Sequence, residues 1–188
     1  MALSDRVPIP PTNTFNANLS SCPASTMLQR FGQPGPLTRD CSPPTGPFRT
    51  RLKGPFNAGP FRVTGLDFAV ASLAQVFADV QSVDPTLFAE VHTAGMLCCR
   101  AKRSDPNQFS NHSWGTAIDI FFGDAVVPMG EQETHQGNLL LAPFFNRHGW
   151  YWGAGFSHGS VDSMHFELAK ETILTLPAQG PGATAPSA

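Results

Sequence analysis

The chain has 188 residues, of which 41% are hydrophobic and only 14% charged, with a formal net charge of -2 at pH 7. That length suits one domain with a sizeable core plus extensions, and the surface must be carried by Ser, Thr, Asn, Gln, Gly and Pro rather than by ions. No basic stripe for phosphate contacts is found and no apolar run approaches the roughly 18 residues of a membrane helix, so neither a nucleic-acid partner nor a membrane segment is expected.

Met1-Ala2-Leu3-Ser4-Asp5-Arg6 leads into prolines instead of an apolar stretch, so no secretory signal is expected. Residues 1–60 are dense in Pro, Gly, Thr and Asn, with breakers at Pro10-Pro11, Pro34-Gly35-Pro36 and Pro43-Pro44. They read as an arm with one helix-like piece, Thr26 to Phe31, stopped by Gly32. Leu28, Phe31, Phe48 and Phe56 are too apolar for a free linker, so the arm is expected to pack on the domain.

The body begins at residue 61. Thr64-Gly65-Leu66-Asp67 can cap a helix, and Leu66, Ala69, Val70, Leu73, Val76, Phe77 and Val80 follow with spacings of three and four. Asp84-Pro85 opens a second helix through Leu87, Phe88 and Val91 towards Gly95. Strand signals follow at Met96 to Ala101 and Thr116 to Phe122, then a helix from Gln136 to Arg147 and a strand from Ser163 to Leu168. From residue 177 the Ala, Pro and Gly content predicts a disordered tail. Helices and short strands without a βαβ rhythm predict an α+β fold with a small antiparallel sheet flanked by helices. Cys22, Cys41, Cys98 and Cys99 lack C-x-x-C spacing, so they read as buried thiols, with a Cys22–Cys41 disulfide left open.

Asp119 sits among Ile118, Ile120 and Phe121, where an unpaired carboxylate is costly to desolvate, so it needs a partner. His112 lies across a turn that Gly115 allows. In Ser163 to Leu168, period two puts Met164, Phe166 and Leu168 on one face and His165 with Glu167 on the other. Two imidazoles and one carboxylate suit Zn2+ at about 2.0–2.2 Å, with a fourth position left for water, an arrangement of catalytic rather than structural sites. Glu167 is either a partner that orients His165 or a solvated strand residue. His92, His135 and His148 read as structural and His158 as a plain loop histidine.

Ser110-Asn111-His112-Ser113-Trp114-Gly115-Thr116-Ala117-Ile118-Asp119 follows S-x-H-x-x-G-x-A-x-D, and Asp162-Ser163-Met164-His165 follows D-x-x-H. Together they resemble the zinc D-Ala-D-Ala carboxypeptidase and L-alanyl-D-glutamate peptidase family, peptidase family M15, which cuts bacterial cell-wall peptides. The resemblance covers roughly Gly95 to Leu168. It implies a Hedgehog/DD-peptidase-like fold and a zinc peptidase domain over residues 61–176. His112, Asp119 and His165 become the zinc ligands, Asp162 the general base and Arg100 the cation over the developing oxyanion, with Arg103 close enough to be the true equivalent. Substrate contacts are assigned to Ser110 and Trp114, although Trp114, Trp150 and Trp152 also suit wall and core. Asp162 otherwise caps a turn, and Arg100 otherwise makes a salt bridge.

The implied activity is hydrolysis of an amide bond in the peptidoglycan stem peptide by a monomer. The Asp at 162 tilts the bond towards L-Ala–D-Glu, with D-Ala–D-Ala as the alternative. An endolysin made in the cytoplasm and let out by a holin, or a bacterial enzyme using another export route, are both compatible with the start of the chain. The rival from another class is a zinc-containing binding module like the Hedgehog signalling domain, which has no reason to keep both Asp162 and Arg100.

Overall fold

A computed structural model of the chain describes residues 1–157 and 159–177; His158 and the tail from residue 178 lie outside the described residues. The elements run β1 (Arg6–Pro8), α1 (Ala24–Phe31), β2 (Leu52–Asn57), β3 (Arg62–Leu66), α2 (Asp67–Val83), α3 (Pro85–Ala89), β4 (His92–Gly95), β5 (Ala117–Phe121), β6 (Glu133–His135), α4 (Gln136–Arg147), β7 (Trp150–Trp152), β8 (His165–Leu168) and α5 (Lys170–Thr175). The fold is α+β, as its sequence predicts. A four-stranded antiparallel sheet has the order β4-β5-β8-β7, and β1–β6 and β2–β3 form two further antiparallel pairs.

Alternation decides which side of the central sheet each residue serves. Ile118 of β5 pairs with Phe166 of β8, and both turn to the helices and are buried. There Phe145 of α4 stacks on Phe166 at 4.1 Å and meets Phe77 of α2 and Trp150 of β7 edge-on at 5.9 and 5.7 Å. The three-and-four spacing of α2 buries Ala69, Val70, Leu73, Val76, Phe77 and Val80 in this core. The opposite parity in β5 and β8, Asp119 and His165, forms a directly facing pair on the other side of the sheet.

Two predicted elements differ. The helix opened by Pro85, with the Asp84 side chain accepting from Leu87 N–H at 2.9 Å, ends at Ala89 instead of near Gly95. Residues 92–95 are taken by β4, which pairs with β5. No strand spans Met96 to Ala101. Gly95 bends the chain at φ 119°, Cys98 N–H donates to His112 O at 3.0 Å, and the segment continues only as isolated bridges, Ser42 with Cys99 and Ala101 with Phe109.

Residues before 61 lie against the body. Met27, Phe31 and Phe48 are fully buried, whereas Leu28 and Phe56 stay exposed. Asn16 donates Nδ2 to Trp152 O at 2.9 Å and accepts Trp152 N–H on Oδ1 at 2.8 Å, and it exchanges two further bonds with Asn146. Of the cysteine alternatives, the Cys22–Cys41 pair does not form: Cys41 is bonded to Cys98, with the α-carbons 5.2 Å apart, and Cys22 and Cys99 are buried free thiols. Cys41 lies beside the bridge at Ser42, which places it against the 98–99 segment. No described helix is long and apolar enough to cross a membrane.

Candidate metal centre and cleft

The Asp119–His165 pair supplies two of the predicted ligands, and a single 3₁₀ turn supplies the third. Asn111–Trp114 forms that turn, and Gly115 follows it at φ 63°, a left-handed conformation that lets the chain enter β5 with His112 facing Asp119. A side chain at 115 has no room, since its Cβ falls 2.6 Å from the Gly65 backbone. Asp119 Oδ1 then lies 3.1 Å from His112 Nε2 and 3.1 Å from His165 Nδ1, and the two nitrogens are 3.2 Å apart. His112 and His165 are nearly buried, 3% and 7% exposed.

The outer ring nitrogens fix what the inner atoms are. His112 Nδ1 meets Met96 O at 2.9 Å, and a carbonyl only accepts, so Nδ1 carries the proton. His165 Nε2 meets Glu167 Oε2 at 3.1 Å, so Nε2 donates to that carboxylate. In the neutral rings both inner nitrogens are therefore bare acceptors, aimed with a carboxylate oxygen at one point. Three acceptors so close repel unless a cation lies among them. Their separations match the edge of a tetrahedron with zinc-type bonds, about 3.3 Å, so the residues present fit a zinc ion. Burial opposes charge on Asp119, yet His112 and His165 hold its carboxyl far below the ordinary range. Burial likewise opposes a second proton on His165, but the hydrogen bonds to Asp119 and Glu167 outweigh it and raise its pKa to about 10, so a proton on Nδ1 competes with a metal cation for the same place beside Asp119.

Glu167 is buried and tied on both oxygens. Oε1 accepts Cys22 N–H at 2.8 Å, and Oε2 accepts Asn111 Nδ2–H at 2.8 Å as well as His165 Nε2–H. Of its two sequence alternatives, the structure places it behind His165 rather than in solvent. Asn111 and the backbone of Cys22 were not marked by the sequence. Asn111 is an unremarkable position inside a motif, and a backbone N–H carries no residue signature at all.

The cluster opens onto a cleft of about 360 Å³ whose lining includes Arg100, Ser110, His112, Asp162 and His165. Asp162 is placed by its neighbour: Ser163 O accepts from Trp152 Nε1 at 2.8 Å and Asn138 Nδ2 at 3.1 Å, and Ser163 Oγ donates to Glu133 O at 3.0 Å. Burial raises the Asp162 carboxyl above its usual range, with His165 opposing and Asp119 assisting the shift. Arg100 is half-buried, and Nη1 donates to Ala101 O at 2.9 Å. Burial and the Arg103 cation lower its pKa, while Asp119 and Asp162 raise it. Ser110 is buried and is among the residues that line the cleft. Trp114 is the exception: it is fully buried, and its indole N–H donates to Gly32 O at 3.0 Å, so it belongs to the core and not to the substrate wall.

The remaining described histidines have local partners. His148 Nε2 lies 2.9 Å from Asp79, His135 Nδ1 accepts Phe122 N–H at 3.2 Å, and His92 stacks on Phe121 at 5.4 Å.

Residues 103–168 match the family model described as D-alanyl-D-alanine carboxypeptidase, a stretch that contains all three clustered residues and Asp162 but begins just after Arg100. No curated protein and no solved structure matches the chain. The match spans about a third of the chain, and over that stretch, which carries the cluster and most of the cleft lining, the chain is similar to the D-alanyl-D-alanine carboxypeptidase family.

Proposed function

We propose that the protein is a zinc metallopeptidase that hydrolyses an amide bond in the peptidoglycan stem peptide, with L-Ala–D-Glu as the favoured bond. The observation that carries this reading is the convergence of His112 Nε2, His165 Nδ1 and Asp119 Oδ1 on one point at the floor of a cleft that also holds Asp162 and Arg100.

Zinc held by His112, Asp119 and His165 supplies Lewis-acid polarisation of the scissile carbonyl and lowers the pKa of a water towards ~7. Glu167 keeps the His165 ring in the orientation and tautomer that present Nδ1 to the cluster. Asp162 takes the proton of the attacking water on its carboxylate and returns it to the leaving amine, and a pKa raised by burial suits that exchange. Arg100 faces the developing negative charge on the carbonyl oxygen.

A second reading, removal of a terminal D-Ala, is favoured by the match of residues 103–168 to the D-alanyl-D-alanine carboxypeptidase family. Digestion of purified muropeptides, followed by mass analysis with and without a chelator, tests both. The expected result is release of L-Ala-terminated fragments, lost on chelation and restored by zinc. Free D-Ala as the only product overturns the choice of bond, and undiminished cleavage in the stripped protein overturns the metal.

A further inference from the structure

The cleft has one feature that the metal cluster, Asp162 and Arg100 leave unused. On a chain with 12 Lys and Arg in total, three of the cleft-lining residues are cations within four positions, Arg100, Lys102 and Arg103. The segment that carries them is a narrow loop with a fixed base: Ala101 bridges Phe109, Lys102 N–H donates to Gln108 O at 2.8 Å, and Ala101 N–H donates to Thr38 O at 2.7 Å.

Of the nearby acids, Asp105 and Glu167 are committed to other donors, and Asp162, which lines the same cleft, forms no ion pair with this wall among the described residues. Asp105, at the loop tip, is occupied by Asn107 N–H at 2.9 Å and Gln108 Nε2 at 2.7 Å. Glu167 is saturated by Cys22, Asn111 and His165. Lys102 Nζ reaches only the neutral Gln108 Oε1, at 3.2 Å, and among the described residues Arg103 makes no ion pair. Arg103 is exposed on the cleft side, near enough to Asp162 and Arg100 to influence the charge of both. Arg100, half-buried with Nη1 committed to Ala101 O, is the deeper cation; Arg103 and Lys102 are the outer ones.

We infer that Arg103, assisted by Lys102, is the specificity-determining group that receives a free carboxylate on the residue just beyond the scissile bond. This rests on the stem-peptide reading above. The chemistry fits both bonds considered there. A terminal D-Ala carries its carboxylate on the α-carbon next to the scissile nitrogen. D-Glu does too, because it continues the stem through its γ-carboxyl and leaves its α-carboxyl free. An arginine presents a planar fork to such a carboxylate, which a lysine supports as a point charge. Neutralising that carboxylate as an amide removes the partner without changing its shape.

The test compares paired synthetic stem peptides that differ only there: D-Glu against its α-amide, and terminal D-Ala against its C-terminal amide. Wild-type protein and the Arg103→Gln and Lys102→Gln/Arg103→Gln variants are assayed for kcat/KM, with zinc content measured on each. The wild type is expected to prefer the free carboxylate of whichever pair it cleaves by roughly 10- to 100-fold, the worth of a hydrogen bond to a charged group. That preference is expected to collapse to within about 3-fold in the double variant. An unselective wild type, or variants that lose both members of a pair by the same factor, overturns the inference while leaving the peptidase reading in place. If no stem peptide is hydrolysed, that reading falls instead. Calorimetric binding of the same pairs to the zinc-loaded wild type then decides the inference, and equal affinity for acid and amide overturns it.

Discussion

Replacing Glu167 by Gln probes the least visible part of the centre. The carboxylate is 4% exposed and receives three donors, Cys22 N–H on one oxygen and Asn111 Nδ2–H with His165 Nε2–H on the other. A Gln side chain has one oxygen and one NH2 group, so whichever way it turns, an NH2 faces at least one of these donors. If its oxygen stays with His165, the Cys22 amide loses its acceptor; if it turns to Cys22, His165 and Asn111 both do. The change removes a charge-assisted bond of about 1.5–3 kcal/mol and leaves at least one buried donor unsatisfied at about 1–3 kcal/mol. A loss of roughly 2.5–6 kcal/mol of folding stability follows, equivalent to a fall of about 5–24 °C in Tm for a chain of this size. Because the same carboxylate orients His165, a ligand in the proposed zinc site, zinc affinity is expected to fall by about 10- to 100-fold. Thermal melts of the metal-free protein and competition with a chromophoric chelator read the two effects separately. A Glu167→Gln variant with unchanged Tm and zinc affinity within twofold of wild type would refute the assigned role.

Other substitutions address other parts of the molecule. Asp162→Asn is expected to lower kcat by about 10²–10⁴-fold with zinc content unchanged, because it removes the proton acceptor and no ligand; hydrolysis within threefold of wild type would exclude it as the base. Asp67, bound by Arg51 at 2.8 and 3.0 Å and by Phe68 N–H at 2.7 Å, has its pKa lowered: burial works the other way, but these partners prevail. Its contribution is therefore complete above the unfolded carboxyl value near pH 4 and is lost as pH falls through the lower folded value, so the Tm gap between wild type and Asp67→Asn should close on acidification. A gap that widens in acid contradicts the pairing. Cys41→Ser opens a link between residues 57 apart, worth up to about 4 kcal/mol by loop entropy, and alkylation of the denatured wild type should label two thiols before reduction and four after.

How far the sequence reached is set by which interactions are local. α2 and α4 were readable because their buried positions recur every three or four residues, and β5 and β8 because alternation is plain in Ala117–Phe121 and His165–Leu168. The three clustered side chains were readable because two motifs hold them. What escaped depends on distant partners. β1 exists only because Arg6, Val7 and Pro8 find His135, Thr134 and Glu133, more than a hundred residues on. The stretch from Met96 to Ala101 has strand-like composition, but its neighbours are the arm and His112 O, so it makes single bridges instead of a ladder. Trp114 sits inside the motif and was assigned to substrate on that ground; the burial of its ring and its bond to Gly32 O depend on where α1 ends.

That last dependence extends to the chemistry. Glu167 can hold His165 only while its own two oxygens are held, and one of its donors is the backbone of Cys22, in the stretch just before α1. Asn111 Nδ2 also donates to Cys22 O at 2.9 Å, so the residue beside His112 holds the carbonyl of Cys22 while the residue behind His165 holds its N–H, and both grip the backbone of one residue of the arm. The arm contributes none of the clustered side chains and lies outside the matched segment, 103–168. It nevertheless closes the hydrogen bonding of the centre, because the sheet alone leaves one oxygen of a buried carboxylate without a donor. A buried carboxylate oxygen left without a donor is costly, and the Cys22 N–H removes that cost. The packing of residues 1–60 on the body is therefore part of how the acceptor triad is held, and not a covering added to a site already complete.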